Sequence, residues 1–251
     1  MATRVLERPI PRPKKRARER VFFGGMTLLM IGTILLGFRA TYFPLGPKPE
    51  AIHSGVIVVH GVVYTVFLVF LFVQVALVSA RRVKSHMTLG LWVYGLSALM
   101  VPLGVVAAAD EMRRELVSGV EFIPGVDTLT FSTISVLGIA VFGVLMGCSY
   151  VVRRTPDAHK RLALYAVISM MNAGIDRWPW QWWGVNEAWA AWVFVGYVLL
   201  PVVYDLVSLR RVHRVAMFAV PLILLVDRYK FVVGHTVAWH EVAKAMVKYL
   251  T

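Results

Sequence analysis

A polytopic all-α transmembrane helical bundle is the fold class this sequence predicts, and three observations predict it. The 251-residue chain is 58% hydrophobic and only 16% charged, whereas an ordinary soluble domain holds its charged share near a quarter. Its apolar residues form long continuous runs, without the alternating segments of a membrane barrel. Its 27 Lys and Arg residues sit almost entirely between those runs. A formal charge of +13 would suggest nucleic acid in a soluble protein; flanking membrane-length segments, it instead makes the lipid bilayer the expected partner and excludes nucleic acid.

The first twenty residues carry eight cations (Arg4, Arg8, Arg12, Lys14, Lys15, Arg16, Arg18 and Arg20) and three prolines. Such a stretch cannot bury a core, so residues 1–20 are expected to form a disordered cytoplasmic arm lying on anionic lipid headgroups. Val21 to Phe38 is too long for the apolar core of a signal peptide, and Arg39-Ala40-Thr41-Tyr42 offers no small-residue cleavage site, which predicts an uncleaved first span.

A hydrocarbon layer needs about 20 helical residues. The runs that meet this are Val21 to Phe38, Ser54 to Ala80, Met87 to Ala109, Thr128 to Val152, Leu162 to Trp178, Ala188 to Leu209 and Val215 to Val233. Seven spans are therefore expected within a membrane domain covering residues 21–233. The last is the weakest, because Asp227, Arg228 and Lys230 interrupt it and must snorkel or pair with one another.

Eighteen Lys and Arg lie on the side of the N-terminal arm and five (Arg39, Lys48, Arg113, Arg114 and Arg177) on the other. This bias predicts a cytoplasmic N-terminus in a bacterial inner membrane. The opposite side holds an acidic loop from Asp110 to Asp127 and a belt of Trp178, Trp180, Trp182, Trp183, Trp189 and Trp192, rings suited to a headgroup boundary. Residues 234–251 form an expected amphipathic interfacial helix, with Trp239, Val242, Ala243, Met246, Val247 and Leu250 on one face and Glu241, Lys244 and Lys248 opposite. Its plainest role is to cover that end of the bundle. In the fourth span Gly143 and Gly147 form a small-xxx-small pair that permits close helix approach.

The histidines carry the candidate chemistry. Arg81-Arg82 precedes His86, Arg153-Arg154 precedes His159, and Arg210-Arg211 precedes His213, each where a chain re-enters the membrane. Three hairpins thus present one imidazole apiece at similar depth. Asp205 lies eight residues before His213, about two helical turns inside the membrane, where a carboxylate requires a partner. His86, His159, His213 and Asp205 together have the composition of a three-imidazole, one-carboxylate metal site for zinc or iron. The plainer alternative is that each histidine braces a hairpin or meets a lipid headgroup, and that Asp205 pairs with Arg210, Arg211 or a lysine of the inner loops.

On the other side, His53 and His60 share one face of the second helix but stand about 10 Å apart, too far to hold one ion. Small residues Gly55 and Gly61 beside His60 leave room for a planar ligand such as haem b, with His235 the matching axial candidate. Asn172 and Asp176, with Arg177 adjacent, share a face of the fifth span and suit either a structural pair or a polar site. Cys148, the single cysteine, excludes an internal disulfide and a cysteine metal cluster.

The chain resembles a widespread group of bacterial multi-pass membrane proteins that has no established activity. The resemblance rests on His60-Gly61, Lys84 to Gly90, Pro156 to Leu162, Tyr204-Asp205 through His213, and Thr236 to Trp239. That group carries a basic residue where Met87 stands and a proline where Arg214 stands. It implies that His60, His86, His159, Asp205 and His213 belong together, and it implies no reaction. Three functions follow as expectations: a haem- or metal-binding membrane redox protein, a zinc-dependent intramembrane lipid hydrolase, or a structural or assembly subunit of a membrane complex that binds no cofactor. The paired His-x-x-x-His of the seven-helix zinc lipid hydrolases is missing here.

Overall fold

The computed structural model describes residues 13–39, 42, 54–119, 125–186 and 188–251, and among them it is all-helical. The elements are α1 (Pro13–Phe38), α2 (Gly55–Ser79), α3 (Val83–Ser118), α4 (Thr128–Phe131), α5 (Thr133–Val151), α6 (Pro156–Ile168), α7 (Asn172–Ile175), a 3-10 turn (Trp180–Trp183), α8 (Trp189–Leu209), α9 (Arg214–Gly234) and α10 (Val237–Leu250). Arg4, Arg8, Arg12, Lys48 and His53 lie outside the described residues. Helix α1 already begins at Pro13, so the second half of the stretch expected as a disordered arm continues the first membrane helix.

Five segments are long and apolar enough to cross a membrane: Ala17–Phe38, Gly55–Ser79, Val83–Ser118, Thr128–Val151 and Trp189–Leu209. Large apolar side chains face outward along them, Val59, Val69, Leu91, Val203 and Val207 among them. A soluble protein could not tolerate such a surface, whereas lipid accepts it because every helix satisfies its own backbone. Prolines 102, 201 and 221 sit inside α3, α8 and α9, as membrane helices allow.

Two expected spans depart from the pattern. Leu162 to Trp178 is not one helix: α6 ends at Ile168, and the chain tightens through Met170 N–H to Val167 O and Met171 N–H to Ile168 O before α7. No proline or glycine causes the break. Ser169 Oγ donates back to the Ala166 carbonyl at 2.7 Å, a local bond that bends helices. Val215 to Val233 is one continuous helix within α9, but it carries Asp227, Arg228 and Lys230. Asp227 accepts from Lys230 Nζ at 2.8 Å and from Asn172 Nδ2 at 2.9 Å.

The third expected span also ends elsewhere. Helix α3 runs past Ala109 to Ser118, and Asp110 is a buried helical residue, not the start of an acidic loop. Arg114, one turn further, donates to it at 3.1 Å, which neutralises the carboxylate and lets the helix continue.

The core gathers around α5 and α6. Leu164, Tyr165, Ala166, Val167 and Ile168 are consecutive and all buried, the mark of a helix surrounded by others. Helix α2 lies outside, with only Phe67 and Gln74 buried, packed on α1 and α3. Helix α1 crosses α7 where Gly37 meets Gly174: a Cβ on Gly37 would stand 2.2 Å from the Gly174 carbonyl oxygen. In α5, a Cβ on Gly143 would stand 3.0 Å from the Val101 side chain of α3, while one on Gly147 would meet nothing within 4 Å, so only one of the small pair serves close packing. Helix α10 lies on α3 and α4, with Trp239 and Ala243 buried against Ala109 and Met112.

The helix ends sort by charge. Arg20 of α1 donates to Ser79 O at the end of α2, Phe22 stacks on Tyr204 near the end of α8, and Glu19 pairs with Lys160 of α6. One end of the bundle therefore gathers the arginine-rich turns. The other gathers the tryptophans, with Arg39 over Trp182 and Arg177 over Phe38.

Candidate functional site

At the basic end, two short turns bring His86 and His159 together. The turn between α2 and α3 starts α3 at Val83 and sets His86 in its first turn. The turn between α5 and α6 is closed by Pro156 at the start of α6 and Asp157 in its first turn, both favourable at a helix N-terminus. His159 follows directly. The two imidazoles lie with ring centres 6.3 Å apart and planes at 64°.

Each ring is held from behind. Tyr94 Oη and Ser149 Oγ both lie 3.0 Å from His159 Nδ1, and they are 2.9 Å from each other. Ser149 donates its only proton to the His159 carbonyl at 3.1 Å, so toward Nδ1 it can only accept. The pair accommodates a neutral imidazole with its proton on Nδ1, and in that tautomer the Nε2 lone pair is available. Behind His86, the Gln74 carboxamide satisfies both its ends only with its oxygen accepting from Gly90 N at 2.8 Å and its NH2 facing His86 O and Nδ1.

Beside this pair lies a buried ion pair. Arg161 Nε donates to Asp205 Oδ1 and Oδ2, both at 3.1 Å, and Nη2 also contacts Oδ1. Nη1 completes the set with the Asp157 carbonyl at 2.9 Å. The two side chains are only 3% and 1% exposed, so this pair ties α6 to α8 in a dry environment. Lys160 extends the network outward, to Asp157 at 2.6 Å and Glu19 at 3.0 Å. Tyr165 Oη, one turn from Arg161, is buried with no hydrogen-bond partner among the described residues.

His213 does something different, since its Nδ1 accepts from Val215 N–H at 3.2 Å and caps α9. Burial holds its pKa below the ordinary value; Arg161 lowers it further, while Asp205 opposes. A histidine kept neutral by folding contributes stability that is full above its unfolded pKa of about 6.5 and is lost as pH falls through the folded value. Detergent-purified protein is therefore expected to melt at a lower temperature at pH 5.5 than at pH 7.5. His213→Asn, which keeps a capping side chain without a titrating one, should flatten that slope; an unchanged slope would show that other groups set it.

The four residues expected to form one metal centre are thus divided. His86 and His159 meet, Asp205 is taken by Arg161, and His213 turns to its own helix. Among the described residues no three His, Cys, Asp or Glu side chains are placed to hold a metal ion. At the tryptophan end, His60 stacks on Tyr64, with ring centres 3.9 Å apart. His235 and His240 meet the Thr130 hydroxyl at 3.4 and 3.2 Å. His60 and His235, the expected axial pair, are therefore engaged with different neighbours.

No family model, curated protein or solved structure matches this chain. The site has to be read from its own geometry. Sequence reasoning missed Tyr94, Ser149 and Arg161. The first two are ordinary polar residues in apolar runs and carry no signal. Arg161 did carry one, being the cation nearest the apolar start of its helix and so best placed to reach a buried carboxylate.

Proposed function

We propose that this chain is a seven-crossing bacterial inner-membrane protein whose basic end is cytoplasmic, and that it binds one divalent transition metal, zinc or iron, through His86 and His159 at that end. The observation that carries the metal reading is the imidazole pair itself. Two imidazoles that each give one nitrogen at about 2.0–2.1 Å to a tetrahedral ion have ring centres about 5.2 Å apart, and about 6.4 Å is reached only with the nitrogens on opposite sides of the ion; these rings stand at 6.3 Å, so they close by about 1 Å on binding zinc. The Ser149–Tyr94 contact behind His159 is the outer-shell support that metal-bound imidazoles require. His86 becomes a ligand at Nε2 only when the Gln74 amide turns its oxygen toward Nδ1–H and gives up its bond from Gly90 N–H. Both rings are half-buried, so water or substrate would fill the remaining positions of the ion.

A bare ion is preferred to haem b because His60 and His235, the axial pair a haem would need, are engaged with different neighbours. A zinc hydrolase centre built with Asp205 is not part of this reading, since that carboxylate is committed to Arg161. The crossing count is supported by α6–α7 and α9, which run between the same two ends as the five apolar segments. The orientation rests on the distribution of cations.

One observation favours a second reading. With the Gln74 NH2 toward Nδ1, His86 carries its proton on Nε2 while His159 offers a lone pair, so without metal the two form a proton donor and acceptor bridged by water. Elemental analysis of detergent-purified variants separates the readings. His86→Ala and His159→Ala should each lower bound metal at least tenfold, while His213→Ala should keep it. Equal metal in all three would refute the pair as the site.

A further inference from the structure

The turns of the basic end contain two backbone anomalies that share a chemistry. Among the described residues, Arg81 and Arg210 are the non-glycine residues with left-handed backbone, at φ 61° and 54°. Arg81 occupies the position after the α2 cap where glycine usually stands: Arg82 N–H reaches Leu77 O at 2.8 Å and Arg81 N–H reaches Val78 O at 3.1 Å, the paired bonds of a Schellman turn. Arg210 ends α8 in the same conformation, its N–H bonded to Leu206 O at 3.0 Å. A Cβ in this region is strained, and glycine would relieve it. The strain therefore needs a reason in the side chain.

Each strained arginine is followed by a second, Arg82 and Arg211, and all four are exposed. None of the four has a carboxylate partner among the described residues. At the same end Lys160 and Arg161 are ion-paired and Arg153 lies over the Tyr150 ring at 4.1 Å and donates to its carbonyl; what sets Arg81 and Arg210 apart is their backbone. Helix α1 sits between the two turns, touching α2 through Arg20 and α8 through Phe22, so both guanidinium pairs stand at the rim of the same membrane face.

We propose that Arg81-Arg82 and Arg210-Arg211 are two clamps for the phosphodiester of anionic phospholipids, with the left-handed backbone aiming each guanidinium pair at the headgroup layer. The inference rests on the membrane reading above, in which these turns lie at the lipid surface. Guanidinium binds phosphate through paired N–H donors, and basic residues beside membrane spans attract anionic lipid.

The test is thermal unfolding of the full chain in nanodiscs of phosphatidylcholine, alone or with phosphatidylglycerol added. Wild type should melt higher with phosphatidylglycerol. The double variant Arg81→Gly/Arg210→Gly should melt at the same or a higher temperature than wild type in phosphatidylcholine, because strain is relieved, and should lose most of the rise. Arg81→Lys/Arg210→Lys should keep part of it, and inorganic phosphate should not reproduce it. The proposal is overturned if the glycine variant keeps the full rise, if wild type shows none, or if glycine lowers the melting point in phosphatidylcholine. Nanodiscs offer anionic lipid to both faces, so an inverted orientation in the cell, found with reporters at the termini, would contradict the membrane reading without altering this result.

Discussion

Arg161→Ala and Asp205→Ala are each expected to destabilise the folded protein by about 3–5 kcal/mol, a large share of its stability. The reason is what each substitution leaves behind. With Arg161 gone, the Asp205 carboxylate remains at 1% exposure, without its guanidinium. With Asp205 gone, the guanidinium keeps the Asp157 carbonyl at 2.9 Å and a longer contact of 3.8 Å with the exposed Asp157 carboxylate. Removing both charges at once is a different experiment: in Arg161→Met/Asp205→Leu no orphan charge remains, and the loss should fall well below the sum of the single effects. Unfolding in detergent, followed by tryptophan fluorescence, measures this. Additive losses would mean that the two side chains do not act as a pair.

Gly37→Ala should have the next largest effect, a loss of about 1–3 kcal/mol. Its Cβ would meet the backbone of Gly174, with the carbonyl oxygen at 2.2 Å and the carbonyl carbon at 2.9 Å. Backbone cannot rotate away as a side chain can, so α1 would have to lift from α7. Lifting strains the same contact surface elsewhere: Trp178 Nε1 donates to Thr33 O at 3.3 Å, and the Thr33 and Tyr197 hydroxyls are bonded to each other. Gly24→Ala on the same helix meets nothing within 4 Å and should be neutral or slightly stabilising. Comparable losses at both positions would point to a general intolerance of α1, not to the crossing.

What could be read from the sequence was whatever depends on continuous hydrophobicity. The long runs of α2 and α8 appear within a residue or two of their predicted limits because nothing polar competes with lipid there. Where a charge is neutralised locally, the reading stopped short: Asp110 looked like the end of a span, but Arg114 one turn on keeps it inside α3. The break between α6 and α7 left no trace because a serine back-bond made it, without the usual proline or glycine. The histidine site was half legible. The recurrence of imidazoles after arginine pairs placed three of them at one end, but sequence spacing does not say where a ring turns. His213 spends its Nδ1 on its own helix, and Asp205 is captured by a cation that spacing alone assigns to a loop.

The central claim, that His86 and His159 hold one metal ion, is tested most directly by titrating metal-stripped, detergent-purified protein with zinc, beside its His159→Ala variant. One saturable equivalent per chain in wild type, absent from the variant, is the predicted result. No saturable uptake by wild type, or the same uptake by both proteins, would contradict the claim and leave the two imidazoles to the proton donor and acceptor reading.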